Sequence, residues 1–352
     1  MNIYTMSNSK LVAQGTFGCV YYPPIKCKKY DTDDYISKIQ ADSTEAENEL
    51  FLGKHLSKLP NLRFHFALPI DKCKLNISEA NLTNMESCRI FKTTSQEKFV
   101  NLIMPYVSGR AIDEFISQND DPKHTLLAII HGFSHLLTSI RILQEQTICH
   151  FDLHSGNVLF DETINLPIII DFGLSIYIPN IIDLKRFFYN YFPSYHIWPI
   201  EIHYLCFLLY RKVNPDLTDI ENICKMYTSK EFDSRFSPAF IDKYYISCVE
   251  FLKKFLGQQK DKVINTIITY WKTWDIFSLS FMYLDILTPI ANDSPFIRSF
   301  SELLFQNIHP NPTKRHPIEE TSNIFNKLKN NQKYDRTVTH IEAAYLRSLK
   351  AC

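Results

Sequence analysis

The sequence has little glycine: eight residues in a chain of 352. Half of them, Gly15, Gly18, Gly156 and Gly173, fall in the stretches that also hold its most distinctive polar residues. No apolar run continues unbroken for the roughly 18 residues that a membrane-crossing helix needs. The most apolar candidate, residues 126–143, is interrupted by His131, His135 and Arg141, so neither a membrane span nor a membrane partner is expected. The N-terminal segment is polar and lacks a signal-peptide core. Neither sign of charge is in excess: Lys+Arg and Asp+Glu are 38 each, with no long basic run. Nucleic acid is therefore not an expected partner. None of the nine cysteines is spaced as Cys-x-x-Cys, which argues against a zinc site or a redox dithiol. Reduced thiols in an intracellular, cytoplasmic protein are the expectation.

Apolar residues make up 45% of the chain, enough for a sizeable core, and the length suits two lobes around a cleft. The chain is organised around Ile148-Cys149-His150-Phe151-Asp152-Leu153-His154-Ser155-Gly156-Asn157-Val158-Leu159-Phe160, followed by Ile168-Ile169-Ile170-Asp171-Phe172-Gly173. Two carboxylates and an amide stand between short apolar runs. Hard divalent cations take carboxylate and amide oxygens. A hydroxyl that attacks phosphorus needs a carboxylate to orient it and accept its proton.

This stretch resembles the catalytic loop (His-Arg-Asp-x-x-x-x-Asn) and metal loop (Asp-Phe-Gly) of eukaryotic-type protein kinases. The matching residues are His150, Asp152 and Asn157, then Asp171, Phe172 and Gly173. Phe151 replaces the family's Arg, and His154 stands where Ser/Thr kinases keep a Lys. The resemblance implies an α+β, two-lobed protein-kinase-like fold. A small β-rich N-lobe with one main helix spans 1–108, a larger helical C-lobe spans 109–330, and a polar tail follows from 331 to 352. It implies ATP with magnesium or manganese as cofactors, and γ-phosphoryl transfer to Ser/Thr hydroxyls of a protein substrate. Asp152 would orient the hydroxyl, and Asn157 and Asp171 would hold metal.

Residues 11–21 read as strand, tight turn, strand and resemble the kinase glycine-rich loop, with Ala13 in place of the first glycine. Ala13, Gln14, Gly15, Thr16, Phe17, Gly18 and Val20 would then cover the phosphates. Lys38, central in a short strand, resembles the phosphate-binding lysine of the family. Ser43 or Thr44 can cap a helix through His55 and Leu56. Glu45, Glu47 and Glu49 all compete to pair with Lys38; Glu49 is preferred because it shares a face with Leu52 and Leu56. Residues 60–70 look strand-like, and 71–98 look like a polar insertion between strands. A buried strand from Phe99 leads to Met104 at the back of an adenine pocket. Pro105, Tyr106 and Val107 follow as the hinge, and Val107 would donate to adenine, since proline cannot.

Apolar residues at 3-4 spacing predict a long helix from about Pro122 to Gln144. Residues 174–195 are rich in aromatics and would be the activation segment. With Phe151 unable to bind a phosphate, apolar packing is expected to order it. Trp198-Pro199-Ile200-Glu201 resembles the family's Ala-Pro-Glu, with Arg315 as the partner of Glu201. Asp275 resembles the Asp that bonds backbone near His150. The stretch from 204 to 270 is longer than the family uses; several amphipathic helices are expected there, with a partner protein as one role. A last helix is expected near 341–349. Two other readings compete. His-x-Asp-Leu-His-x-Gly-Asn is also similar to small-molecule (aminoglycoside-type) phosphotransferases, and the chain could be an inactive kinase fold acting as a binding module. The Asn, Ile, Lys, Phe and Tyr content and compressed motifs look similar to kinases of large DNA viruses, which would place the protein in a host cell.

Overall fold

The computed structural model describes residues 9–15, 18–28, 30, 32–75, 87–93, 99–119, 121–181, 184–189, 191–211, 214–229, 232, 236–288 and 295–330. Thr16, Phe17, much of the 71–98 stretch and the expected helix near 341–349 lie outside the described residues. The chain is α+β, with a sheet-rich N-terminal part and a helical C-terminal part. Residues up to Gly109, with Asp161–Ile164 and Ile168–Ser175, make one compact unit. Arg110–Phe160, Asn165–Pro167 and the chain from Ile176 onward make the second.

The first unit is built on a five-stranded antiparallel sheet, β1 (Lys10–Gln14), β2 (Gly18–Tyr22), β3 (Tyr35–Ala41), β4 (Asp71–Lys74) and β5 (Phe99–Pro105). The spatial order is β1-β2-β3-β5-β4. β3 and β5 lie inside the sheet; β5 is buried up to Met104, and β3 is buried over its middle, Ser37–Gln40. α1 (Thr44–Leu56) begins where the Ser43 hydroxyl accepts from the Ala46 N–H at 3.4 Å, and Glu45 and Glu47 sit in its first turn. Both features favour a helix N-terminus. Its buried face packs Ala46 against Val100 and Leu102 of β5.

Three expectations do not hold. Residues 60–70 contain a 3-10 turn at Leu62–Phe64 rather than a strand. Phe66 instead packs edge-on against Phe172, with centroids 5.6 Å apart. The stretch from 71 does not open as an insertion: Asp71–Lys74 is the edge strand β4. Its charged sequence hides the apolar alternation by which strands are recognised, and charge is what an exposed edge tolerates. The expected reduced thiols are also corrected, since Cys19–Cys88 and Cys27–Cys73 are disulfides. Their partners are far apart in sequence, so no spacing pattern announced them.

The second unit is helical. Pro122–Glu145 runs through its core. By length and composition this helix could cross a membrane. It presents His131 and Arg141 to solvent, however, and buries Phe133 among Tyr283, Phe300 and Phe325 at centroid distances of 4.7–4.9 Å. The enlarged region is the expected set of helices: Ile200–Arg211, Leu217–Tyr227, Pro238–Lys253 and Lys260–Ile268. Trp274–Leu287 follows and is buried almost throughout.

Candidate active site

In the first unit, β3 and α1 bring Lys38 to Glu49. The ammonium lies 3.1 and 2.9 Å from the two Glu49 oxygens and 2.9 Å from Asp171 Oδ1. Glu49 is wholly buried and Lys38 nearly so. Burial alone would lower the lysine's pKa; the charges of Glu49 and Asp171 more than reverse that, so its pKa is raised and it stays protonated. The other two candidate glutamates are elsewhere: Glu47 pairs with Lys72, and Glu45 accepts from the Thr44 hydroxyl. Asp171 adopts a left-handed backbone, φ 60°. That conformation costs a non-glycine residue about 1–3 kcal/mol and needs surrounding bonds to hold it. Asn48 supplies some, donating to the Ser175 carbonyl at 2.8 Å and to that of Gly173 at 3.4 Å.

The glycine-rich turn is closed by Gly15 N–H donating to Gly18 C=O at 2.9 Å. Ala13, Gln14 and Gly15 are exposed, and Val20 is half-buried. Gly18 has a steric reason to be glycine: a Cβ there would lie 2.7 Å from the Ile39 carbonyl oxygen on β3. Met104 is buried at the end of β5. The Tyr106 N–H is used by the Asp34 carbonyl at 2.9 Å, while the Val107 N–H has no partner among the described residues. Of the three hinge residues it is the one with a donor to offer.

In the second unit, Asp275 organises the loop that carries Asp152. Its carboxylate accepts from the N–H groups of His150 and Phe151 at 2.7 and 2.9 Å. Phe151 has φ 70°, and its carbonyl accepts from the Trp198 indole at 2.6 Å, so bonds on both sides fix a conformation that phenylalanine avoids. That turn presents Asp152. Asn157 Nδ2 donates to the Asp152 carbonyl and to Oδ2 at 2.9 and 3.3 Å, which leaves the Asn157 amide oxygen as its unused acceptor among the described residues. The His154 ring accepts from Gly156 N–H through Nδ1 at 3.1 Å and stands 3.8 Å from Asp152 through Nε2. A Cβ at Gly156 would come within 3.0 Å of that ring.

Glu201 and Arg315 form a buried two-pronged ion pair at 2.6 and 2.9 Å. Arg315 spends its remaining donors on His309, Pro310 and Thr273. All five N–H groups are thus used, as a buried guanidinium requires. Sequence reasoning missed what Tyr195 does: its hydroxyl donates to Asp152 Oδ1 at 2.5 Å. Its only signal was membership of an aromatic-rich stretch.

A family model described as protein kinase domain matches residues 77–192. That span contains Asp152, Asn157 and Asp171 but neither Lys38, Glu49 nor Glu201. One similar protein is the EKC/KEOPS complex subunit bud32 of Dictyostelium discoideum, 24% identical over 186 residues, which are 51% of this chain and 68% of that protein. The match falls on the loops that carry Asp152, Asn157 and Asp171, in an α+β chain whose sheet-rich part holds a buried Lys–Glu pair, and together these findings support a protein-kinase-like superfamily for this chain.

Proposed function

We propose that the chain is an ATP-dependent protein kinase that transfers the γ-phosphoryl group to Ser/Thr hydroxyls of a protein substrate. The observation that carries this reading is Lys38, protonated and held between Glu49 and Asp171. A cation fixed in that way is pre-positioned for phosphate oxygens. Exposed backbone at Ala13–Gly15 and the Val107 N–H, unpartnered among the described residues, suit the phosphates and base of a nucleotide. Asp152 orients the acceptor hydroxyl and takes its proton. The Asp171 carboxylate and the Asn157 amide oxygen are the hard oxygen donors that magnesium prefers, and bound magnesium would neutralise charge developing on the phosphates. Most of the catalysis is positioning and electrostatics. The complex named for the bud32 relative supports a partner protein here as well, with 204–270 as the candidate surface.

The test is transfer from labelled ATP, wild type beside Asp152→Asn, with generic proteins and a sugar and aminoglycoside panel as acceptors. Asp152→Asn removes the proton acceptor and no metal ligand. It is expected to abolish transfer to protein while ATP still raises the melting temperature. Activity within tenfold of wild type removes Asp152 from its role. Transfer to small molecules alone favours the aminoglycoside-type reading, and a nucleotide melting shift without any turnover favours a binding module.

A further inference from the structure

An ionised carboxylate offers about four acceptor sites, two on each oxygen. Three of those on Asp152 face donors from its own unit. Tyr195 donates to Oδ1 at 2.5 Å, and Asn157 Nδ2 donates to Oδ2 at 3.3 Å. His154 Nε2 stands 3.8 Å from the same Oδ2. The Asp152 side chain is only 18% exposed, so water competes little with these donors. The His154 ring is held in its place. Its Nδ1 accepts from the Gly156 N–H at 3.1 Å, and a nitrogen that accepts carries no proton. The ring is therefore neutral, with its proton on Nε2, the atom that faces Asp152. The backbone under the ring is fixed as well: the His154 carbonyl accepts from the Asn157 N–H at 2.9 Å, and Ser155 Oγ donates to Asp113 at 2.9 Å. Gly156 leaves room for the ring, since a Cβ there would lie 3.0 Å from His154 Cε1 and 3.2 Å from Nδ1.

A lysine at this position would bring a cation on a flexible stem. A histidine in this tautomer brings one neutral donor in a fixed place. We propose that His154 is a positioning residue for Asp152: its Nε2–H closes on Oδ2 when an acceptor hydroxyl arrives, and so holds the carboxylate in one orientation. This rests on the reading of Asp152 as the residue that takes the hydroxyl's proton. Hydrogen bonds of this kind are often long in the empty site and tighten in the complex. With Asn157 and His154 both on Oδ2, and the Tyr195 phenol on one side of Oδ1, a single acceptor site is left, on Oδ1. That oxygen receives the hydroxyl, and restraint of the pair speeds the proton's departure. Because the partner of His154 is Asp152, its contribution falls on turnover and not on the binding of the acceptor.

The two ring nitrogens can be tested apart. His154→Asn keeps an acceptor for the Gly156 N–H, as asparagine does when it bonds the backbone two residues on, and removes the donor to Asp152. His154→Gln, with its longer side chain, keeps a donor for Oδ2. Initial rates are measured on the full-length chain with Mg-ATP and the acceptor protein that wild type phosphorylates, beside thermal unfolding without nucleotide. His154→Asn is expected to melt as wild type does, to keep its KM for the acceptor, and to lose at least about tenfold in kcat, the effect of one hydrogen bond to a charged group. His154→Gln is expected to retain most of the wild-type kcat. The reverse order, or a wild-type kcat in His154→Asn, overturns the proposal and leaves the kinase reading standing as long as Asp152→Asn is inactive. Equal losses in both variants overturn it too, since the ring then acts only through the shape of the loop. An active Asp152→Asn, or a wild type that transfers to no acceptor, overturns the role of Asp152 and the proposal together.

Discussion

Lys38 and Glu49 illustrate how far single residues can be read. Helical spacing sufficed to choose Glu49 among three glutamates, because a partner for a strand lysine must share the face that buries Leu52 and Leu56. The other half of the geometry was not legible: nothing local announces that Asp171 and Phe151 take left-handed backbones, a conformation uncommon in any non-glycine residue and avoided by bulky ones such as phenylalanine. Lys38→Met removes the positioned charge and is expected to lower phosphoryl transfer by at least about 10²-fold, at the low end of what one preorganised charge contributes. It also strands Glu49 as a buried carboxylate, so folding must be measured beside activity, by thermal unfolding without nucleotide. A folded Lys38→Met protein with less than a tenfold loss would remove Lys38 from the phosphate site.

Among the elements, long helices were legible and contacts between distant segments were not. Pro122–Glu145 lies within a residue of its expected end because its apolar spacing is uninterrupted. β4 was hidden by its charges. The enlarged region showed amphipathic helices but not their contacts, some of which reach the segment around Tyr195. Phe232 lies 5.2 Å from the His196 ring, and His196 Nε2 bonds the Tyr227 carbonyl at 2.6 Å. Phe188 meets Phe151 edge-on at 5.5 Å, so aromatic packing holds the segment where a basic phosphate pocket would otherwise be. His203, on the helix Ile200–Arg211, is fully buried against Tyr195 and Tyr227. Its Nδ1 has no partner among the described residues. Burial, with the nearby His196 also opposing the charge, pushes its pKa down to about 3. In the unfolded chain it titrates near 6.5. Between those values the unfolded state holds the extra proton, so stability falls as pH falls, by up to about 1.4 kcal/mol per pH unit from this residue. His203→Gln keeps a donor for the Tyr195 carbonyl and removes the titration. Its denaturation free energy between pH 6 and 4 is expected to depend on pH less steeply, by about one proton. An unchanged slope would mean that His203 is protonated in the folded protein.

Across the whole molecule, cysteine chemistry divides along the two units. The first holds both disulfides, and the four free cysteines of the described second unit, Cys149, Cys206, Cys224 and Cys248, are all buried. Burial raises all four thiol pKa values, to about 12 for Cys206 and Cys224, so they form little thiolate and exchange slowly. The first unit needs its cross-links for a physical reason. A small sheet-rich unit buries a lower fraction of its surface than a large one, and this one also carries two long polar connections. Cys27–Cys73 ties one of them to the edge strand β4, and Cys19–Cys88 ties the other to β2 beside Gly18. Closing stretches of 46 and 69 residues restricts the unfolded chain by about 4 kcal/mol each in the loop-entropy account. Reduction is therefore expected to loosen the first unit alone. All three tryptophans, Trp198, Trp271 and Trp274, belong to the second unit, so their fluorescence reports on it separately. With a phosphine reductant, amide exchange is expected to accelerate in Gly18–Tyr22 and Tyr35–Ala41, while the tryptophan emission and its melting temperature hold. Nucleotide affinity should weaken in parallel, because Gly18 and Lys38 lie on those two strands. Alkylation in denaturant supplies the chemical check: Cys19, Cys27, Cys73 and Cys88 are expected to react only after reduction. If they react without it, or if reduction leaves exchange in β2 and β3 unchanged, the cross-links do not hold the sheet that carries Lys38.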